Sequence, residues 1–225
     1  MRLSDYKTKR YTPLQIIMHL GALYPLARLV FDLLADNLSA NPIQDMQQRT
    51  GRAAITLLLL SLTASPLNTV FGWKEPLKRR RALGLYSFLY ATIHMLIFVD
   101  LDYGLAWSLI VQTIIEKPYM LVGVTAFLLL IPLAITSFDI WKVRLGRNWK
   151  RLHTTIYFIA PLAVLHYAWA KKGSLFGLSG DIGRPLLYAL VLAILLILRI
   201  PPLRRALASL WTRLRVPFRR GIPAS

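Results

Sequence analysis

LYSFLYATIHMLIFVD, residues 85–100, is an apolar run of helix length with one histidine, His94, two-thirds of the way along. A titratable imidazole among neighbours suited to lipid or protein interior calls for a partner, and its surroundings decide both fold and function. Spans of this kind need about 20 mostly apolar residues. Others lie near 14–35, 53–71, 119–138, 152–170 and 186–203, and with 82–100 they make six expected transmembrane helices. The sixth is the shortest in purely apolar sequence, since it meets Arg199 and then Pro201 and Pro202. Arg199 is expected to snorkel to the interface.

Composition agrees with such a chain. Of 225 residues 56% are hydrophobic, yet the formal net charge is +18, and mean hydropathy is positive. These properties coexist when the charge sits between apolar spans, which excludes a nucleic-acid partner and makes membrane lipid the solvent. The segments 1–13, 72–81, 139–151 and the tail from Arg199 hold 21 of the 28 Lys and Arg and three of the ten acids. Lys and Arg bias loops to the cytoplasm, so both termini are expected there. The expected fold is all-α: a polytopic six-helix bundle over 14–203, with a short cytoplasmic N-terminus 1–13 and a basic, membrane-skimming tail 204–225. The polar stretch 36–52 reads as a loop, and no internal repeat is visible. The first apolar run is too long for a secretory signal and reads as a retained span. Without cysteine there are no disulfides, thiolate-held metals, iron–sulfur clusters or covalent CxxCH haem.

All four histidines, His19, His94, His153 and His166, fall inside or at the edge of expected spans. Ionisable residues there face the bundle interior and mark function by default. Each alone has an ordinary structural use as an inter-helix hydrogen bond; four together are harder to explain so. His94 lies about 20 Å along its span from Arg81, and His166 about 22 Å along its own from Arg151. Two imidazoles at matching depth on neighbouring helices suit the two faces of haem iron, whereas zinc wants three or four ligands. His153, near the inner boundary, and His19 are candidates for a second haem, although on a straight helix His153 and His166 stand about 140° apart. Pro161 lies between them. Arg28 and Asp32 form an i,i+4 pair read as structural, Met95 reads as packing, and the Lys78–Arg81 cluster is a topology anchor able to bind propionates or phosphate. Gly177, Gly180 and Gly183 match a phosphate loop only superficially.

Arg80-Arg81-x-Leu83-Gly84-Leu85 with Tyr90-Ala91-Thr92-x-His94 resembles the third helix of the ferric-reductase-like transmembrane proteins. Supporting stretches are RTGR at 49–52, KPY at 117–119, Trp149-x-x-Leu152-His153 and His166-Tyr167-x-Trp169. Within that group the chain is most similar to the MsrQ (YedZ) family of haem-binding membrane subunits, over 2–210. The resemblance implies b-type haem, FMN, and residence in the bacterial inner membrane. It further implies electrons passing from quinol or a cytosolic flavin reductase to a periplasmic molybdopterin-dependent methionine sulfoxide reductase catalytic subunit. It makes His94 and His166 the axial pair and His153 the candidate for a further haem. The wider ferric-reductase and NADPH-oxidase pattern has a second histidine on the third helix, where this chain has Arg80 or Arg81. It also has a flavin and nicotinamide domain after the last span; this chain is expected to take its electrons from a separate donor instead. Rival readings are a stand-alone ferric reductase, a proton-coupled transporter with a histidine relay, and a structural anchor. An acidic outer surface around Asp100 and Asp102 is the expected docking site for the periplasmic partner.

Overall fold

The computed structural model describes residues 12–171 and 183–219. The extreme N-terminus and the segment carrying Gly177 and Gly180 lie outside the described residues. Proline and capping residues set the helix starts. Thr12 accepts from the Gln15 N–H ahead of Pro13, and Asn41 accepts from the Gln44 N–H ahead of Pro42. Proline fits the first turn because its missing N–H would have no partner there. The helices are α1 (Pro13–Leu34), α2 (Pro42–Phe71), α3 (Glu75–Leu96), α4 (Trp107–Glu116), α5 (Pro118–Ile135), α6 (Asp139–Leu145), α7 (Arg147–Thr154), α8 (Ile156–Ala170), α9 (Gly183–Ile197) and α10 (Pro201–Arg219). Among the described residues there is no strand.

The protein is an all-α membrane bundle. Helices α1, α2, α3 with its π-helical extension Ile97–Asp102, and α5 are long and apolar enough to span. The bent pair α9 and α10, at 84° to each other, brings the number to five if taken as one crossing. The expected fifth span is instead divided at Thr155 into α7 and α8, and α8, with 15 residues, is about 22 Å long. Length and apolarity among the described residues single out four or five of the crossings.

Two stretches expected as loops are largely helical. α2 begins at Pro42, and Asp45 to Arg49 ion pairing at 2.8 Å supports its extra turns. α3 begins at Glu75, leaving a turn in which Gly72 caps α2 with φ +70°, a conformation that costs glycine nothing.

Helix α2 is the centre of the bundle. Its Leu58, Leu59 and Leu62 pack on Ala160 and Val164 of α8 and on Leu192 and Leu195 of α9. Its Ala53 and Leu57 meet Ala22 and Tyr90. Polar side chains stitch α2 to α3: Ser87 donates to the Ala54 carbonyl at 2.8 Å and Ser61 to that of Arg80 at 3.0 Å, a use of small hydroxyls expected between membrane helices.

Pro25 cannot donate within α1, and the next turn is also opened. The Tyr90 hydroxyl donates to the Ala22 carbonyl at 2.7 Å and accepts from the Leu26 N–H at 3.0 Å, the two groups that would otherwise bond each other. At the far end of α1, buried Asp32 bonds both Arg28 (3.0 Å) and Arg49 (2.5 Å). The pair read from sequence is thus a structural clamp between α1 and α2.

Candidate functional site

Helices α2, α3, α5 and α8 enclose a cavity of about 430 Å³, with His94 on one side and His166 on the other. Their ring centroids are 6.1 Å apart and the planes cross at 81°. His94 Nδ1 donates to the Gln47 carbonyl at 3.0 Å, and His166 Nδ1 to the Tyr119 carbonyl at 2.7 Å. A carbonyl only accepts, so each Nδ1 carries the proton and each Nε2 keeps its lone pair. Such a second bond is how ligating histidines are oriented and made better donors.

Both rings lie against glycine. A Cβ on Gly51 would stand 3.3 Å from the His94 ring, and one on Gly123 would stand 2.6 Å from the His166 ring. Each glycine is four residues beyond the residue whose carbonyl holds the ring. The two motifs that carried part of the resemblance, RTGR and KPY, are therefore the walls behind the histidines.

The cavity repeats itself. Residues 47, 48, 51, 52, 54, 55, 58, 91, 94, 95 and 98 line it from α2, α3 and its extension. Adding 72 to each number gives 119, 120, 123, 124, 126, 127, 130, 163, 166, 167 and 170, all of which line it from α5 and α8. Five of these eleven pairs are identical: Gly51/Gly123, Ala54/Ala126, Leu58/Leu130, Ala91/Ala163 and His94/His166. The sequence reading found no repeat because the matches are spaced along helices and separated by unrelated residues.

The site fits haem. His94 and His166 would hold its iron: two imidazoles each bound at about 2 Å to one metal would have ring centroids within about 6 Å of each other, and the observed separation is 6.1 Å. The volume is that of a small-molecule site. Among the described residues no group of three His, Cys, Asp or Glu forms a metal cage, so the donor set is a pair, suited to a metal whose other positions a macrocycle fills.

The other expected residues lie elsewhere. His153 Nε2 donates to Thr136 Oγ1 at 3.1 Å while that hydroxyl donates to the Pro132 carbonyl, and its ring stacks on Trp149 at 4.3 Å. His19 Nδ1 and the Tyr86 hydroxyl are 2.8 Å apart. Arg80 donates to Ser65 at 3.3 Å, and Arg81 to Asp139 at 3.3 Å. None of the four lines the cavity between His94 and His166. Met95, read as packing, does line it, as do Arg52 and Lys171 at its polar rim. Sequence reasoning missed Gly51 and Gly123; the available signal was a small residue on a span apposed to a histidine-bearing one.

The profile of the family described as ferric reductase like transmembrane component matches residues 50–164. The haem-binding subunit MsrQ of protein-methionine-sulfoxide reductase from Xanthomonas axonopodis pv. citri (strain 306) is 44% identical over 186 residues, 80% of this chain and 82% of that protein. Its counterpart in Herminiimonas arsenicoxydans is 35% identical over 190 residues, 84% and 85% of the two chains. The chain belongs to the MsrQ family. The matched region 50–164 contains Gly51, His94 and Gly123, so family membership and the cavity rest largely on the same residues. No solved structure matches the chain.

Proposed function

We propose that this MsrQ-family chain is a b-type cytochrome that holds haem between His94 and His166. It passes electrons across the bacterial inner membrane, with both termini cytoplasmic. The observation that carries the reading is the pair of facing imidazoles, each donating its Nδ1–H to a backbone carbonyl and packed on glycine. Bound haem supplies a one-electron carrier; the chain supplies ligands, orientation and a low dielectric. The Gln47 and Tyr119 carbonyls hold the two Nδ1 protons in place, so neither ring has to change tautomer during turnover. The apolar walls, from Ala54, Leu58, Ala126 and Leu130, exclude water from the ligand axis.

The names of the relatives support methionine sulfoxide reduction as the pathway served. The acceptor in this reading is a periplasmic molybdopterin-dependent catalytic subunit that repairs oxidised proteins, docking near Asp100 and Asp102. The donor is quinol or a cytosolic flavin reductase, with FMN as a further cofactor. A second haem would use His153, with His19 or an unusual ligand opposite and Arg80 or Arg81 near its propionates. A stand-alone ferric reductase is the second reading, favoured by the family match over 50–164; reduction of ferric chelates by the purified chain without a partner protein would select it.

The deciding test is a dithionite-reduced minus oxidised spectrum of the purified protein beside His94→Ala and His166→Ala. A b-type signal in the wild type that disappears in both variants is expected. A colourless wild type, expressed with adequate haem, would overturn the reading and return the histidines to proton relay or structure.

A further inference from the structure

At the other end of α2 a second cavity, of about 450 Å³, opens between the C-terminal turns of α2, the first turns of α3 and α8, and the junction of α9 with α10. Arg199 does not snorkel outward. Its guanidinium turns into the bundle, donating to the Leu62 carbonyl at 2.6 Å and to the Tyr157 hydroxyl, and lies over the Tyr157 ring at 4.6 Å. Its Nε is buried without a hydrogen-bond partner. Arg80, donating to Ser65 of the cavity wall, is close enough to repel it, and Arg204 adds a second positive charge to the lining itself. Ion pairs among the described residues link Asp32, Asp45, Glu75 and Asp139 to other cations; none reaches Arg80, Arg199 or Arg204.

Arg199, buried beside Arg80 with no carboxylate paired to either, and Arg204 on the same lining make the cavity favourable to an anion. Guanidinium forks match the oxygens of phosphate bidentately, and the hydroxyls of Ser65, Thr69 and Tyr157 in the lining add donors for its remaining oxygens. We propose that this cavity binds a phosphate group, carried by an anionic phospholipid or by a soluble phosphate ester. The 84° turn from α9 into basic α10 sets the cavity where a span ends and a surface-following helix begins, the position at which basic pockets between membrane helices take lipid headgroups. This site is separate from the His94–His166 cavity and does not depend on haem.

Thermal unfolding of the detergent-purified full chain, followed by tryptophan fluorescence at constant ionic strength, tests it. Phosphatidylglycerol, phosphatidylcholine and inorganic phosphate are titrated in turn against wild type, Arg199→Gln and Arg204→Gln. A saturable rise in Tm with phosphatidylglycerol but not phosphatidylcholine identifies a lipid source; a rise with inorganic phosphate identifies a soluble one. In either case the half-saturating concentration should rise about tenfold in Arg199→Gln and less in Arg204→Gln. Should Arg199→Gln fail to fold, Arg204→Gln decides. No response in the wild type, or an unchanged half-saturation in the folded variants, overturns the proposal.

Discussion

The α2–α3 hairpin and the α5–α8 pair make the same wall twice, 72 residues apart, and then diverge. Each presents a histidine whose Nδ1 bonds a carbonyl on its partner helix, with a glycine one turn further on. The His166 half is the tighter: its bond is 2.7 Å against 3.0 Å, and its glycine leaves 2.6 Å for a Cβ against 3.3 Å. Beyond the cavity the likeness ends. Tyr90, which bridges the opened turn of α1, has Leu162 as its counterpart, and Arg81, paired with Asp139, has His153. The histidine recurs in both halves, and the proposed haem site would take one imidazole from each. The surroundings differ because only the first half has α1 beside it.

The largest effect of breaking this pairing is expected at Gly123. In Gly123→Ala the new methyl overlaps the His166 ring, an overpacking worth about 1–3 kcal/mol, so haem occupancy at limiting haem falls about tenfold. Gly51→Ala, where the ring has only a few tenths of an ångström to yield, should lose much less. Soret absorbance per mole of protein measures both; equal losses would show that the two halves are equally tight.

Tyr90→Phe probes what the first half has and the second lacks. It leaves the Leu26 N–H and the Ala22 carbonyl without their partner at a buried site, and should cost about 1–3 kcal/mol of stability. Denaturant unfolding in detergent reads the change, with the His94–His166 spectrum retained. Leu162→Met, at the counterpart position, should be close to neutral.

The smallest effect belongs to Gln47→Ala. Because His94 bonds the backbone oxygen of Gln47 and not its amide, the variant should keep the wild-type spectrum and lose less than about 1 kcal/mol. A shifted band position would mean that the Gln47 side chain, not only its carbonyl, sets the ligand field of that half.

The apolar run at 85–100, the four in-span histidines and the basic segments were enough to give an all-α membrane bundle and to single out His94 and His166. Apolar length and charge placement act locally along the chain, so they can be read without knowing what packs where. By contrast, the helical turns from Pro42 to Arg52 were hidden because their sequence is polar. The pair Asp45 and Arg49, together with packing on α3 and α1, holds them helical, and hydropathy does not register such contacts.

The sequence alone therefore determined the membrane character, the helical class and the two histidines. Tertiary structure decided which carbonyls hold those histidines, that glycine lies behind each ring, that the two halves repeat at 72 residues, and that Arg199 points inward to Tyr157 and the Leu62 carbonyl. The physical reason is the same in every case. These relations join residues on different helices, where only the packed geometry brings a donor to its acceptor or a ring to the space left by a missing Cβ.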